Sequence, residues 1–201
     1  TDIYDLDVSN KKDVKRYSKF DASCIVHLAA ETDLEKCERE PDIAYKVNTI
    51  GTYNMVNLAM EMDVPIVYIS TAGVFDGTKE TPYKETDEPN PINVYGTTKW
   101  YGELIVRQYP KHYILRAGWM MGGVSKDKKF VHKIVEKVRS GEKIIYAIDD
   151  MYGSPTYAKD LCRVIEECTL NCLPYGLYHA SGAGKASRYD VAQEIVNLIG
   201  S

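Results

Sequence analysis

The chain has 201 residues, of which 44% are hydrophobic and 27% are charged, and its formal net charge at pH 7 is −4. These proportions are typical of a globular chain, so they exclude an intrinsically disordered or collagen-like protein. The sequence has no basic stripe and no apolar run of about 18 to 20 residues, so we expect no nucleic-acid binding, no membrane span and a cytoplasmic location.

Apolar runs of strand length alternate with segments of helical period along the chain. Strands are predicted at residues 23–28, 64–70, 112–116 and 143–147. Helices are predicted at residues 42–62, 94–108, 128–139, 157–169 and 188–199. This alternation is typical of a parallel sheet covered by helices, which predicts the α/β fold class.

The sequence predicts no metal site. Its five cysteines contain no CxxC pair, and its four histidines are scattered along the chain. A structural zinc site needs closely spaced Cys and His ligands, so we expect reduced thiols and no metal. His27 is predicted to be a strand residue beside the sheet rather than a ligand.

Tyr95 and Lys99 are four residues apart at the start of a predicted helix, so their side chains share one face. A phenol with its ordinary pKa of about 10 is a poor acid–base catalyst at neutral pH, and a neighbouring cation lowers that pKa. The spacing therefore suggests that Tyr95 gives a proton to a carbonyl oxygen while Lys99 adjusts the pKa of its phenol. Taken alone, it also fits a solvated Tyr and Lys on an exposed helix.

Thr71 directly follows a buried strand, in the segment Ser70-Thr71-Ala72-Gly73. Ligands of open α/β sheets bind at the carboxyl ends of the strands, and Thr71 is predicted to lie at that edge. Its hydroxyl is placed to donate a hydrogen bond to the same carbonyl oxygen that Tyr95 protonates. The alternative is a turn residue that satisfies the backbone.

Further motifs accompany Ser70-Thr71 and the Tyr95–Lys99 pair in chain order: residues 27–33, Asn48 at the end of 44–48, 74–77, 91–96, Leu115-Arg116 with Trp119, and 152–156. With them the chain resembles the extended short-chain dehydrogenase/reductases, and within these the dTDP-4-dehydrorhamnose reductase family. The resemblance covers nearly the whole chain. It implies a Rossmann-type nucleotide-binding domain at 1–120 and a small α/β substrate-binding part at 121–201, interleaved with the first.

The resemblance also implies a role for each matching residue. Thr71, Tyr95 and Lys99 match the catalytic triad, in which the lysine also holds the nicotinamide ribose of NADP or NAD. The other cofactor-binding residues implied are Asp7, Val8, Leu28, Ala29, Ala30 and Asn48, and the substrate-binding residues are Thr71, Ala72 and Trp119. Without the family, Asp7 fits a cap for a helix at 11–17, Ala29 and Ala30 fit packing residues, and Trp119 fits an apolar anchor.

The sequence departs from the family pattern at the phosphate turn, at Ala72 and at Met151, where the reductases usually have a glutamine. No glycine-rich phosphate turn is visible, so the resemblance places the first βαβ unit before Thr1, and the chain looks truncated at both ends. Ala72 stands where the reductases have an aspartate, and Ala72-Gly73 offer no carboxylate pair of the kind that related dehydratases use to eliminate water.

Three functions remain open on this sequence. The leading hypothesis is NAD(P)H-dependent reduction of the 4-keto group of a nucleotide-linked deoxysugar, with Tyr95 as the proton donor. The alternatives are a nucleotide-sugar epimerase with bound NAD and a non-catalytic regulatory subunit of the same fold. The family also suggests a homodimer that pairs through the helices at 42–62 and 94–108.

Overall fold

A computed structural model describes residues 6–122, 129–171 and 173–199. The chain divides into two compact units, each built from two stretches of sequence. The first comprises Thr1–Ala117 and Ile165–His179, and the second comprises Gly118–Val164 and Ala180–Ser201. The domain boundary predicted at residue 120 stays a prediction.

Strands and helices alternate in both units. The described strands are β1 (Ile25–His27), β2 (Ile66–Thr71), β3 (His112–Ala117), β4 (Met120–Met121), β5 (Tyr152–Gly153), β6 (Thr156–Tyr157), β7 (Gly176–His179) and β8 (Ala186–Ser187). The described α-helices are α1 (Lys11–Lys15), α2 (Leu34–Arg39), α3 (Pro41–Ala44), α4 (Gly51–Met62), α5 (Val94–Val106), α6 (Phe130–Arg139), α7 (Ala158–Leu170) and α8 (Arg188–Ile199). The helix predicted at 128–139 begins outside the described residues, and α6 is its described part.

The first unit is built on a four-stranded parallel sheet in the order β1-β2-β3-β7. The register places Ser70 of β2 beside Arg116 of β3, and Arg116 beside His179 of β7. These three residues therefore form one row near the carboxyl ends of the strands. The predicted α/β fold, a Rossmann-type parallel sheet with flanking helices, is confirmed.

The strand predicted at 143–147 is wrong. The backbone there joins no sheet among the described residues, and Ile144 and Tyr146 are 63% and 88% exposed. An apolar run forms a strand only where a neighbouring backbone accepts its hydrogen bonds, and in the first unit β7 takes the place beside β3.

The long helix predicted at 42–62 is divided. Pro41 occupies the first turn of α3, where its missing N–H costs nothing. A π-helical turn over Tyr45–Ile50 then leads into α4. Such a turn inserts one extra residue into the helix and is frequent at functional sites.

The helix predicted at 11–17 is shorter than expected and has a different cap. α1 is capped by Asn10, whose side chain accepts a hydrogen bond from the Lys12 N–H at 3.0 Å. The alternative that Asp7 caps this helix is therefore wrong, since the Asp7 carboxylate accepts hydrogen bonds from the Ser9 N–H and hydroxyl instead.

Helix α5 packs very closely on the sheet through two glycines. A Cβ on Gly102 would lie 2.2 Å from the Tyr68 hydroxyl, and one on Gly96 would lie 2.2 Å from the Gly73 carbonyl oxygen. Neither position has room for a side chain, so the two glycines set the distance between α5 and the end of β2.

A buried ion pair ties α5 to β2 and β3. Arg116 donates from Nε and Nη2 to the two carboxylate oxygens of Glu103 at 2.9 and 2.7 Å, and the Ser70 hydroxyl donates to Glu103 at 2.6 Å. The Arg116 and Glu103 side chains are 1% and 0% exposed. A buried ion pair of this kind stabilises the fold only while both of its charged side chains are present.

The second unit contains two small sheets, a parallel β4–β6 pair and an antiparallel β5–β8 pair. Helices α6 and α8 pack against each other in this unit. Over residues 6–122, 129–171 and 173–199, no helix has both the length and the apolar character that crossing a bilayer requires.

Gly102→Ala should lower the free energy of unfolding by about 1 to 3 kcal/mol, because the new methyl group meets the Tyr68 hydroxyl. A loss of stability would point to this steric contact, because replacing glycine by alanine inside a helix otherwise stabilises the fold by about 1 kcal/mol. Urea unfolding monitored by circular dichroism measures the change. Combining it with Tyr68→Phe removes the atom that is met first, so the double variant should lose less than the sum of the single losses; strict additivity would contradict the packing argument.

Candidate functional site

Thr71 and Tyr95 lie on either side of Gly73 at the carboxyl end of β2. A Cβ on Gly73 would lie 3.3 Å from the Thr71 hydroxyl oxygen and 3.9 Å from Cδ1 of Tyr95. Thr71 Oγ1 accepts a hydrogen bond from the Gly73 N–H at 3.0 Å, which leaves its own hydrogen to donate. The Thr71 hydroxyl also lies near enough to the Tyr95 phenol to lower its pKa. The two hydroxyls that were predicted to act on one carbonyl oxygen are therefore together.

The start of α5 is held so that Tyr95 stands in its first turn. Asn93 caps the helix, since its side-chain oxygen accepts a hydrogen bond from the Gly96 N–H at 2.7 Å. Glu38, on α2, accepts a second hydrogen bond from the Val94 N–H at 2.7 Å. These two contacts fix the direction in which the first turn presents the phenol.

Burial dominates the electrostatics of Tyr95. It raises the pKa of the phenol above its ordinary value of 10.0, and the nearby Thr71 hydroxyl opposes this only in part. The expectation that Lys99 lowers this pKa is wrong in this structure, because the Lys99 ammonium lies over a different ring, 4.1 Å from the centre of Tyr68. Tyr95 therefore keeps its proton at neutral pH.

Lys99 is a buried amine, with 3% of its surface exposed. Burial lowers the pKa of Lys99 from 10.5 to about 7, although the Glu103 carboxylate one turn further along α5 opposes the shift. No hydrogen bond of the described residues involves this ammonium. His27 lies near it, and burial together with the charge of Lys99 lowers the pKa of His27 to about 3.

His27 is the last residue of β1, which confirms it as a strand residue. Its Nε2 donates to the hydroxyl of Thr52 at 3.1 Å, and that hydroxyl donates to the Asn48 carbonyl at 2.6 Å. The described residues contain no group of three His, Cys, Asp or Glu side chains placed to hold a metal ion.

Asn48 links the loop after β1 to helix α5. Its side-chain oxygen accepts from the Glu31 N–H at 2.8 Å, while its amide nitrogen donates to the Glu31 carbonyl at 3.1 Å and to the Thr98 hydroxyl at 3.0 Å. The residue is fully buried. Its amide is occupied by the protein itself, so Asn48 positions the loop predicted to run beneath a cofactor.

The remaining predicted cofactor residues surround the same part of the first unit. Leu28 and Ala29 are exposed and Ala30 is half-buried, in the loop between β1 and α2. Val8 is buried and packs against Gly51, and its carbonyl accepts from Asn54 at 2.9 Å. The hydrogen bond from the Ser9 side chain lowers the pKa of Asp7, which keeps this carboxylate charged at neutral pH.

The predicted substrate residues lie in different units. Ala72 is exposed in the 3₁₀ turn Ala72–Val74 that follows β2, in the first unit. Trp119 belongs to the second unit, where its backbone has a φ of 37°. A positive φ is costly for a bulky residue and often marks a functional site.

Sequence reasoning missed the buried carboxylate of Glu103 on α5. Glu103 carries a signal that could have found it, because it lies four residues beyond Lys99 and therefore on the same face of α5. It also missed Arg188, whose guanidinium lies 3.8 Å from the ring centre of Trp119. No pattern of spacing predicted that contact, because 69 positions separate the two residues.

Comparison with known proteins assigns the chain to a family. The RmlD substrate-binding domain family matches residues 1–201. The chain is 32% identical over 198 residues to the dTDP-4-dehydrorhamnose reductase of Mycolicibacterium smegmatis. That alignment covers 97% of the chain, which spans 59% of the length of this relative.

Solved structures resemble it closely. A dTDP-4-dehydrorhamnose reductase from Clostridium acetobutylicum matches with a TM-score of 0.94 and 36% identity, covering 100% of this chain and 71% of that one. A dTDP-4-dehydrorhamnose reductase from Bacillus anthracis, solved in complex with NADP, matches with a TM-score of 0.92 and 32% identity, covering 98% of this chain and 70% of that one.

The buried Lys99 amine should make stability depend on pH. Its pKa is about 7 in the folded chain against an ordinary 10.5, so between these values the unfolded chain binds more protons and stability rises with pH. The stability of the wild type minus that of Lys99→Met should therefore rise from about pH 7 towards pH 10, and urea unfolding across that range measures it.

Lys111→Met is the matched control for this measurement. The hydrogen bond to Asp63 raises the pKa of Lys111 above 10.5. The stability that Lys111 contributes is therefore fully present at pH 7 and is lost only above pH 10.5. The difference in free energy of unfolding between the wild type and Lys111→Met should therefore stay constant from pH 7 to pH 10. A level curve for Lys99→Met as well would mean that the amine stays charged in the folded chain.

Proposed function

Since the chain belongs to the RmlD substrate-binding domain family, we propose that it carries out NAD(P)H-dependent reduction of the 4-keto group of a nucleotide-linked deoxysugar. The observation that carries this proposal is that Thr71 and Tyr95 both adjoin Gly73, with the Thr71 hydroxyl near enough to the Tyr95 phenol to lower its pKa. The buried Lys99 amine lies one turn further along the same helix. Two adjacent hydroxyls of this kind suit a single keto oxygen.

The residues present fit the nicotinamide ribose part of a dinucleotide cofactor. Lys99 has an ammonium that touches a ring and has no hydrogen-bond acceptor within the described residues, so a ribose hydroxyl would complete its contacts. Leu28 and Ala29 are exposed in the loop after β1, and Asn48 holds that loop in place. When bound, the cofactor supplies the hydride that reduces the ketone carbon.

Tyr95 gives the proton in this proposal. Its raised pKa keeps the phenol protonated at neutral pH, which suits donation to an oxygen that gains negative charge. The Thr71 hydroxyl accepts from the Gly73 N–H and donates its own hydrogen to the same oxygen. An epimerase first needs Tyr95 as a base, and a phenol that holds its proton favours the reductase instead.

The substrate class is inferred from the relatives of this chain and from Ala72. Several proteins similar to this chain are named dTDP-4-dehydrorhamnose reductases, so we infer a nucleotide-linked 4-keto sugar as the substrate. Ala72 offers a methyl group next to Thr71. Proton transfer at the substrate therefore falls to Tyr95, and elimination of water lacks an acid at this position.

We also propose a cytoplasmic homodimer. Cys24, Cys37, Cys162 and Cys168 are free thiols, which suits a reducing compartment. Helices α4 and α5 pack side by side and expose apolar side chains. Those side chains are Ile50 just before α4, Tyr53 and Met60 on α4, and Tyr101 and Leu104 on α5. A second copy that covers these helices would remove this apolar surface from water.

Leu104→Glu should dissociate the proposed dimer, because it places a charge on the face formed by α4 and α5. Leu104 is 40% exposed, so the monomer tolerates the change. Leu34→Glu is the control, since Leu34 is 51% exposed on α2. Light scattering on the eluting peak should give half the wild-type mass for Leu104→Glu alone. A wild type that is already monomeric would overturn the homodimer.

Tyr95→Phe should reduce turnover of a dTDP-linked 4-keto-6-deoxysugar by about 10²-fold or more, because proton transfer contributes at least that much. Cofactor binding should persist, since only one oxygen is removed. Tyr53→Phe is the control, because Tyr53 is exposed on α4. The readout is consumption of NADPH at 340 nm together with titration of NADPH fluorescence.

The same assay separates the three functions. A reductase consumes one NADPH for each sugar reduced, whereas an epimerase converts the sugar without net consumption. A binding subunit shows no turnover in the wild type, and Tyr95→Phe then changes nothing. Either of the last two results would overturn the proposal.

A further inference from the structure

An extended stretch of the second unit has backbone groups without partners. Residues 144–148 run straight, with no turn or bend. The carbonyl of Ile148 accepts a hydrogen bond from the N–H of Tyr189, on α8, at 2.8 Å. Within the part of the chain that the structure describes, no backbone hydrogen bond involves Ile145 or Ala147. Successive residues of an extended chain direct their backbone groups to opposite sides, so one side of this stretch contacts α8 and the other side is unpaired.

The apolar side chains of this stretch follow the same alternation. Ile144, Tyr146 and Ile148 are 63%, 88% and 55% exposed. Ile145 and Ala147, which lie between them, are half-buried. The three large side chains therefore form one row on the exposed face. An apolar row beside unpaired backbone groups has the properties of an open sheet edge, which favours pairing with a further strand.

The sequence of the segment 143–149 is complementary to itself. It reads Lys143-Ile144-Ile145-Tyr146-Ala147-Ile148-Asp149. Two copies that run antiparallel, with Tyr146 facing its own copy, bring Ile144 opposite Ile148. The same register brings Lys143 opposite Asp149, and both of these residues are exposed. A shift of one residue would instead place Ile144 opposite Asp149.

The charges at the two ends of the segment select the partner. The ion pairs found in residues 6–122, 129–171 and 173–199 include neither Lys143 nor Asp149. Opposite charges that face each other across two strands stabilise the strand pair, and like charges destabilise it. Because the segment carries one charge of each sign, two antiparallel copies form two such contacts. The charge pattern therefore fits a second copy of this chain.

The backbone agrees with this register. Facing residues of antiparallel strands alternate between hydrogen-bonded and non-hydrogen-bonded pairs. With Tyr146 facing its own copy as a non-hydrogen-bonded pair, Ile145 exchanges hydrogen bonds with Ala147 of the other copy. These are the residues whose backbone groups are unpaired in the single chain. The hydrogen bond from Tyr189 to the Ile148 carbonyl is kept, because it lies on the other side of the segment.

We propose that the segments 143–149 of two copies of this chain pair as antiparallel strands about a two-fold axis at Tyr146. The segment belongs to the second unit, whereas α4 and α5 belong to the first, so this surface is distinct from the one proposed above for the homodimer. A standard interface uses about 20 to 30 residues a side, and this segment has seven. Association through it alone is therefore weak and reversible.

Disulfide trapping tests the pairing and its register. The background is Cys162→Ser, because Cys162 is an exposed native thiol, and oxidised glutathione is the oxidant. Tyr146→Cys should give a covalent dimer, since facing non-hydrogen-bonded Cα atoms are about 4.5 Å apart, within the range of about 4.4 to 6.8 Å that a disulfide spans. Ile144→Cys alone is the control, because the register separates its two copies by about 14 Å along the strands. Mixing Ile144→Cys with Ile148→Cys should restore the covalent dimer.

Charge reversal tests the ion pairs. Lys143→Glu should weaken self-association by about 10-fold, because both opposite-charge contacts become like-charge contacts. Adding Asp149→Lys to the same chain should restore self-association, since the two charges are then exchanged. Lys133→Glu is the control, because Lys133 is exposed on α6. Sedimentation velocity over a range of protein concentrations gives the dissociation constants, with Leu104→Glu in every chain to remove the contact proposed for α4 and α5.

Three results would each overturn the proposal. The first is a Leu104→Glu chain that stays monomeric at every concentration and gives no covalent dimer through Tyr146→Cys. The second is equal trapping of Ile144→Cys and Tyr146→Cys, which would indicate random collision in place of one register. The third is a variant with both Lys143→Glu and Asp149→Lys that associates as weakly as Lys143→Glu alone, because the charges would then not select the partner.

Discussion

The carboxylate of Glu103 is the contact on which the arrangement of the first unit depends. It binds Ser70 on β2 and Arg116 on β3 from within α5, in an environment that water does not reach. Ser70 is the neighbour of Thr71, and Glu103 lies one turn beyond Lys99. The same ion pair that attaches the helix to the sheet therefore also fixes the distance between the Thr71 hydroxyl at the strand end and the Tyr95 and Lys99 side chains on the helix. Loss of Glu103 would leave the buried Arg116 charge without its counter-charge, which is far more costly than never having had the pair.

Burial gives the site its chemical character. It raises the pKa of Tyr95 and lowers that of Lys99, so both groups are driven towards their neutral forms by the same desolvation. A neutral phenol is a proton donor, and a neutral or easily neutralised amine accepts ordered hydroxyl groups without a large electrostatic cost. The site thus presents a protonated phenol and a readily neutralised amine to a polar ligand.

The sequence predicted the parts of this protein that depend on local pattern. The helix with Tyr95 and Lys99, the strand that ends at Thr71 and the parallel sheet all follow from periodicity and from hydroxyls at a strand end. The strand at 143–147 was wrong because hydrophobicity does not show whether a neighbouring backbone exists. The direction of the Tyr95 pKa shift was also wrong, since spacing places Lys99 on the correct face but does not show that Tyr68 takes the ammonium. Contacts between distant residues, such as Arg188 with Trp119, leave no trace in spacing at all.

The π-helical turn at Tyr45–Ile50 has a consequence for how this protein can change over evolution. Removing one residue there would restore regular winding and rotate everything before it by about 100° relative to α4. Asn48 would then leave the backbone of Glu31, and the loop after β1 would lose its attachment to α5. A single-codon deletion in this turn is therefore not equivalent to one in a surface loop. The extra residue and the shape of the loop after β1 must be inherited, or lost, together.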